Sequence, residues 1–191
     1  MPFSKHGYPR PLILKNGEEV WLRPVRPEED DKETFAFLSR LSAEDRWYLD
    51  FDAGDPETVR YNFINYNPNK TLPIVATNAK SQVVALATLG RSHPSARGHI
   101  GRVRVVVQPF YRNQRLGTYL LLDLIQLAVN LGLRVLTAEF IKGVEDNAIR
   151  AARRLDFFEQ AVVPEYAKDS RGNRYDLAIM VKRIHRGYDD F

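Results

Sequence analysis

Residues 111–121 read YRNQRLGTYLL, and they hold the arrangement in this chain most suited to chemistry. Arg112 and Arg115 supply positive charge, Asn113 and Gln114 are polar, and Gly117 and Thr118 stand where a long apolar run begins. A strand that ends near Gln108-Pro109, turns and enters a helix leaves backbone N–H groups unpaired at the helix N-terminus. Those groups and the helix dipole hold phosphate. Gly117 lets the backbone approach such a ligand closely, and Thr118 adds a hydroxyl. Arg115 stands where a second glycine of the cradle is expected. Main-chain N–H groups bind phosphate, and arginine has one as glycine does, so nothing is lost if Arg115 is helical. Its guanidinium then faces either a phosphate or solvent. A plain strand-to-helix turn with solvated arginines is the other reading of the same residues.

Positioning a cradle requires a strand before it and a buried helix after it, and both are legible. IGRVRVVVQ is a strand that stops at Pro109. In the following helix Leu116, Leu120, Leu124, Leu127 and Leu131 form one apolar face, widened by Leu121, Leu122, Ile125, Ala128 and Val129. Asp123, Gln126 and Asn130 are left as a narrow polar stripe. Gly132 ends the helix with a left-handed cap, and LRVLTAEFI follows as a strand. A strand, helix and strand in this order form a right-handed crossover between parallel strands. DNAIRAARRL is a second helix, with Asp146 as its N-cap, and FFEQAVVPEY and RYDLAIMVKR are two closing strands. Upstream, PLILKNGEEVWLRPV reads as a hairpin with a type I′ turn at Asn16-Gly17. RPEEDDKETFAFLSRLS is a helix with acids in its first turn, and DPETVRYNFINY a short helix capped by Asp55 with Pro56 at its first position. TLPIVATN and QVVALATLGR are strands. The order β-β-α-α-β-β-β-α-β-α-β-β defines an α/β (α+β) protein with one mixed sheet flanked by helices.

Composition narrows the function classes. With 191 residues, 44% hydrophobic and 27% charged, the chain can bury a real core. A formal charge of +4 favours anionic ligands such as phosphates but is too mild, and too dispersed, to imply nucleic acid. The absence of cysteine excludes a cysteine nucleophile, thiolate metal sites and a disulfide framework. His6, His93, His99 and His185 are scattered without metal-ligand spacing, so no metal is expected. MPFSKHGYPRPLIL has no apolar stretch of signal-peptide length, and charged or polar residues interrupt Leu116–Leu136. A soluble, cytoplasmic protein without a membrane partner is the expectation.

The ordered elements, with the cradle before the first crossover helix, resemble the GNAT superfamily of acyl-CoA-dependent N-acyltransferases. The signature (Q/R)xxGx(G/A) is met by Arg112-Asn113-Gln114-Arg115-Leu116-Gly117, with Arg115 in the first glycine position. WLRPVRPEEDDKETFAFLSRLSAEDRWYLDF resembles the family's N-terminal strand and helices, and DNAIRAARRLDFFEQAVVPEYAKDSRGNRYDLAIMVKRI its C-terminal half. The look is closest to the bacterial protein-lysine acetyltransferase branch. The resemblance implies a domain over residues 11–185, with residues 1–10 an extension and 186–191 a tail. It implies that acetyl-CoA, or another acyl-CoA, lies where RVRVVVQ and RVLTAEF splay apart. Val105, Val106 and Val107 then pair with pantetheine amides, and a strand N–H near Val106 stabilises the oxyanion. The pyrophosphate sits on the N–H groups of Gln114, Arg115, Leu116, Gly117 and Thr118. The implied reaction is direct attack by an amine, on a small molecule or a protein lysine. A homodimer is left open.

Several positions depart from the family pattern. The glutamate base of the related enzymes aligns with Arg102, the tyrosine near the leaving thiol aligns with Ala152, and the glycine ending that helix is Asp156, which tolerates the left-handed region. Replacement bases come from strand parity: Glu139 shares a face with Val135, Thr137 and Ile141 and is either a base or the partner of an arginine. Tyr166 and Tyr175 lie on the last strands, where the family contributes substrate contacts, and packing is their plainer role. Asp176 reads as a structural acceptor and His99 as a solvated histidine. Arg102 and Arg104 share a face and suit a carboxylate on the substrate, or pair with Glu139. Asn147, Arg150 and Arg154 form a helix stripe that reaches the adenosine 3′-phosphate or stays solvated. A catalytically silent acyl-CoA-binding module is the rival function.

Overall fold

The computed structural model describes residues 7–49, 51–92 and 95–184. His6, His93, His185 and the expected tail at 186–191 lie outside the described residues. Eight strands form one sheet: β1 (Arg10–Ile13), β2 (Glu19–Pro24), β3 (Thr71–Thr77), β4 (Val83–Arg91), β5 (Ile100–Val107), β6 (Val135–Ile141), β7 (Phe158–Lys168) and β8 (Arg174–Arg183). Their spatial order is β1-β2-β3-β4-β5-β6-β8-β7. Every pairing is antiparallel except β5 with β6. That parallel pair is the one joined by a long crossover helix, α4 (Leu116–Asn130).

Helices cover both faces. α1 (Pro27–Ser39), α2 (Ala43–Trp47) and α3 (Pro56–Val59) precede β3, and α3 continues as one π-helical turn, Arg60–Ile64. α5 (Asp146–Arg153) lies between β6 and β7. Two apolar clusters result. Under α4 and α5, Leu116, Leu120, Leu124 and Leu127 pack with Leu72, Leu89, Val103, Leu136 and Met180. Under α1 and α3, Phe37, Leu38, Val59 and Phe63 pack with Val75, Val83 and Leu86. Strand parity sorts the site residues between these faces: Val103, Val105 and Val107 contact the first cluster and Val106 the second.

Local chemistry explains the element ends. Asp55 accepts from the N–H groups of Glu57 and Thr58 at 3.2 and 3.0 Å with Pro56 in the first turn, as expected. Asp156 takes φ +61° where α5 has ended, and Gly132 takes φ +80° after α4. Three expectations are corrected. The hairpin turn is not type I′, because Gly17 has positive φ and Asn16 does not. Gly17 N–H bonds Leu14 O at 2.9 Å and Leu14 N–H bonds Glu18 O at 2.8 Å, a three-residue loop with its left-handed residue last. α5 begins one residue earlier than expected, with Glu145 at its N-cap position, and the Asp146 carboxylate accepts from Gly143 N–H instead. Asp123 is not on a polar surface stripe but fully buried, held by the Tyr8 hydroxyl and, at 2.8 Å, by Arg10.

Candidate active site

The site starts at a fork. β5 and β6 pair only from Ile100 to Arg102 against Val135 to Thr137. Beyond that point β5 follows β4 as far as Val107, and β6 follows β8 as far as Ile141. The side of β5 facing β6 therefore has no strand partner from Val103 onward, and of its carbonyls there that of Val107 accepts from Arg112 Nε instead. Gly101 sits at the fork in a tight place: a Cβ there would lie 2.8 Å from the Leu89, Leu133 and Leu136 side-chain ends and would have to displace them. The Thr137 hydroxyl donates to Gly101 O at 3.4 Å and closes the fork's base.

At the mouth stands the cradle. β5 passes through a 3-10 turn, Pro109–Tyr111, into an extended Arg112. Asn113 and Arg115 both take positive φ, +61° and +69°. Arg115 is thus left-handed at the N-cap of α4, not helical. This is the conformation a glycine adopts without penalty, and arginine holds it at a cost of about 1–2 kcal/mol. The first bond in α4 runs from Tyr119 N–H to Arg115 O at 3.0 Å, which leaves the N–H groups of Leu116, Gly117 and Thr118 available. The nearest atom to a Cβ built on Gly117 is Val107 Cγ2 at 3.7 Å, so this helix end faces open space beside β5. Among the described residues Arg115 makes no ion pair, whereas Arg112 is engaged. Arg112 donates from Nε to Val107 O at 3.0 Å and pairs with Asp45 on α2 at 2.7 Å. It ties α2 to the mouth of the fork.

The charged residues gather on the sheet face away from α4. Arg102 Nη2 meets Glu139 Oε2 at 2.8 Å, the partnership that sequence parity had left as an alternative. Arg104 lies deeper, and burial holds its guanidinium below the usual arginine value against the fields of Glu145 and Glu139. Glu145 accepts from Ile141 N–H at 2.7 Å, folding its carboxylate back onto the end of β6. Burial pushes its carboxyl above the ordinary range, opposed by that N–H, Arg104 and Arg112. Tyr48, just past α2, is raised first by desolvation and then by Tyr175, Asp169, Glu44 and Glu145. Tyr175 on β8 donates to Asp169 at 3.3 Å, and Trp47 Nε1 donates to Lys168 O at 2.7 Å, seating α2 on the β7–β8 hairpin.

Other expected residues fall elsewhere. Tyr166 is 68% exposed, beside a bulge in β7 where Glu165 has φ +51°, and its hydroxyl has no hydrogen bond among the described residues. Asn147 is exposed on α5 and accepts from Arg150. Ala152 is fully buried, so that side of the fork carries no hydroxyl from α5 at this position. Asp176 accepts from Glu165 N–H, a structural role as anticipated. Sequence reasoning missed Asp45, Tyr48 and Glu145. α2 had a readable signal, Ser42 three residues before Asp45, and the Ser42 hydroxyl indeed accepts from Asp45 N–H at 2.9 Å.

The chain belongs to the acetyltransferase (GNAT) family, whose model matches residues 30–157. Its fold recurs in solved structures. A GNAT acetyltransferase from Streptococcus pneumoniae is 23% identical, with 86% of this chain and 99% of that one covered and a TM-score of 0.73. The GNAT domain of S. lividans PAT is 17% identical over 92% and 96%, with TM-score 0.73. A phosphinothricin acetyltransferase from Sinorhizobium meliloti, solved in complex with acetyl-CoA, is 19% identical over 89% and 91%, also at 0.73. No curated protein matches the chain by sequence. Among the described residues no helix is long and apolar enough to cross a membrane.

Proposed function

We propose that the protein transfers an acetyl group from acetyl-CoA to an amine that approaches from the α1–α3 side of the sheet. The observation that carries this reading is the fork between β5 and β6 with the α4 N-terminus at its mouth. On the side of β5 that β6 has left, the backbone of Val105 and the N–H of Val107 suit the pantetheine amides, while the Val107 carbonyl is held by Arg112 and Val106 faces Leu86 of β4. The N–H groups of Leu116, Gly117 and Thr118 suit the pyrophosphate, with Asn113, Gln114 and Arg115 shaping the cradle. Arg112 acts through its hold on Val107 and Asp45, and the exposed α5 stripe with Asn147 is assigned to the adenosine 3′-phosphate. The amine nitrogen attacks the thioester carbon, the C–N bond forms, the C–S bond breaks, and the nitrogen loses a proton.

Acetyl-CoA at about 100 times its dissociation constant should stabilise the fold by about 2.7 kcal/mol. A thermal-shift titration reads this, and no shift at millimolar acetyl-CoA overturns the reading. Gly117→Val should weaken binding at least tenfold, and much more than Arg115→Ala, because it fills the approach to the helix end while Arg115→Ala keeps its N–H. The acceptor is a small amine or, in keeping with the branch the sequence resembles, a protein lysine, with Tyr166 a rim contact for the larger kind. Arg102 and Arg104 favour a carboxylate on the acceptor or acyl group. Equal kcat/KM for an acidic acceptor and its amide would sink that preference. A silent acyl-CoA-binding module is the second reading, favoured by Ala152 and by the commitment of Glu139 to Arg102. It gives a thermal shift without thiol release across an amine panel.

A further inference from the structure

We propose that Glu145, rather than Glu139, is the residue that takes the proton from the attacking amine. The inference deepens the acetyltransferase reading and rests on it. Four observations place Glu145 at the fork. It follows the end of β6 and precedes α5, and one carboxylate oxygen is fixed by Ile141 N–H at 2.7 Å. Its field reaches Arg104 on β5 and Tyr48 beyond α2, and Arg112 of the cradle acts on it in return. It is therefore fixed at the C-terminal end of β6, where the two strands have splayed, within electrostatic range of Arg104 on β5, Arg112 of the cradle and Tyr48. Its second oxygen, Oε1, has no hydrogen bond among the described residues and is not sealed from solvent.

Glu139 differs on each count. It is exposed, and its carboxylate is committed to Arg102. Protonating it would break an ion pair, whereas protonating Glu145 removes a charge that its surroundings disfavour. A base held above the ordinary carboxylate range, toward the working pH, is the better proton acceptor. The balance is simple: the amine N–H proton passes to Oε1 as the C–N bond forms, the thiolate of CoA leaves and takes a proton from water, and Glu145 returns its proton to solvent. Burial raises its titration, opposed by the Ile141 N–H, Arg104 and Arg112; Tyr48 feels the Glu145 charge, and Glu139 acts with it on Arg104.

The test follows thiol release from saturating acetyl-CoA between pH 5 and 9, using the fastest amine of a panel, or water if none exceeds it. Glu145→Gln retains an oxygen for the Ile141 N–H and should lower kcat by about 10²-fold or more. It should also abolish the acid limb of the pH profile while keeping the acetyl-CoA thermal shift. Glu145→Asp should recover part of the rate, and the acid limb should survive in Glu139→Gln. A wild-type rate or a wild-type acid limb in Glu145→Gln overturns the proposal. Wild-type protein that releases no thiol above the buffer rate, yet is stabilised by acetyl-CoA, overturns the base and leaves the cofactor reading standing. Absence of that stabilisation overturns the reading beneath both.

Discussion

The sheet's two faces are built on opposite principles. Against α4 and α5 it buries a continuous layer of Leu, Val, Ala and Met side chains, and the one carboxylate of α4 inside it, Asp123, accepts from the Tyr8 hydroxyl and forms an ion pair with Arg10. Across the sheet, the apolar cluster under α1 and α3 lies beside charged residues that line the fork. There the same strands carry Arg102, Arg104 and Glu139, and burial pushes the Glu145 carboxyl and the Tyr48 phenol above their ordinary values. Stability is concentrated on one face and strained electrostatics on the other, so substitutions on the two should differ in both size and sign.

The largest effect belongs to the apolar face. Leu124 is fully buried, and Leu124→Ala should cost about 2–5 kcal/mol in denaturant unfolding. Glu139→Gln, which removes a partly exposed ion pair, should change stability by less than about 1 kcal/mol. Equal losses would erase the distinction between the faces. Next comes the buried polar anchor. Asp123→Ala strips acceptors from Tyr8 and Arg10 and should cost about 1–3 kcal/mol. Burial first, and Asp123 second, raise the Tyr8 phenol above its ordinary value of 10.0. The unfolded chain therefore loses this proton before the native one, and stability falls as pH rises past that value. Tyr8→Phe should remove that part of the alkaline loss.

The sequence spoke clearly about the first face and poorly about the second, for a physical reason. The apolar periodicity of Leu116 to Leu131 and the alternation in β5 are local patterns, and they place α4 and the strand-to-helix cradle without reference to the rest of the chain, whereas the fork is implied by the family resemblance. Asp55 could be read for the same reason, since an N-cap is a property of neighbouring residues, and the left-handed Asp156 through the family's glycine at that place. Asp123 could not, because its partners Tyr8 and Arg10 are more than a hundred positions away, and only tertiary packing turns a polar stripe into a buried anchor. Glu145 likewise reads as a loop acid. Its electrostatic environment is set by burial and by Arg104 and Arg112, about forty and thirty positions earlier. Parity pointed to Glu139 correctly as to face, and to its pairing with Arg102 as an alternative, but parity is silent on which carboxylate is desolvated.

Glu145→Gln sharpens the comparison further because its stability effect should have the opposite sign to that of Leu124→Ala. A carboxyl raised in the folded state binds its proton there before it does in the unfolded chain. Stability therefore falls as pH rises from the unfolded value of 4.5 through the raised folded value. Above that window the native protein carries a charge its burial disfavours. Glutamine has no such charge, so the variant should be at least as stable as wild type at pH 8 and lose that advantage toward pH 4.5. Thermal melts across pH measure it. A variant less stable than wild type at pH 8 would mean that the fields of Arg104 and Arg112 outweigh desolvation.

The smallest effect is expected where the two faces meet, at Arg115. Its φ of +69° costs a residue with a Cβ about 1–2 kcal/mol relative to glycine. Glycine gains more freedom in the unfolded chain, which returns about 0.5–1 kcal/mol of that. Arg115→Gly should therefore stabilise the fold by about 0.5–1 kcal/mol, while Arg115→Ala, which keeps the Cβ, should change it hardly at all. Denaturant midpoints of the three proteins separate backbone relief from side-chain loss, since the arginine makes no ion pair among the described residues that either variant would forfeit. Destabilisation by Arg115→Gly equal to that by Arg115→Ala would show that the side chain, not the backbone angle, governs this position. Comparing the acetyl-CoA affinities of the same proteins then asks whether the guanidinium offsets the backbone strain by contacting phosphate. If Ala and Gly bind equally but both more weakly than wild type, it does so. If all three bind alike, the cradle works through its main chain alone.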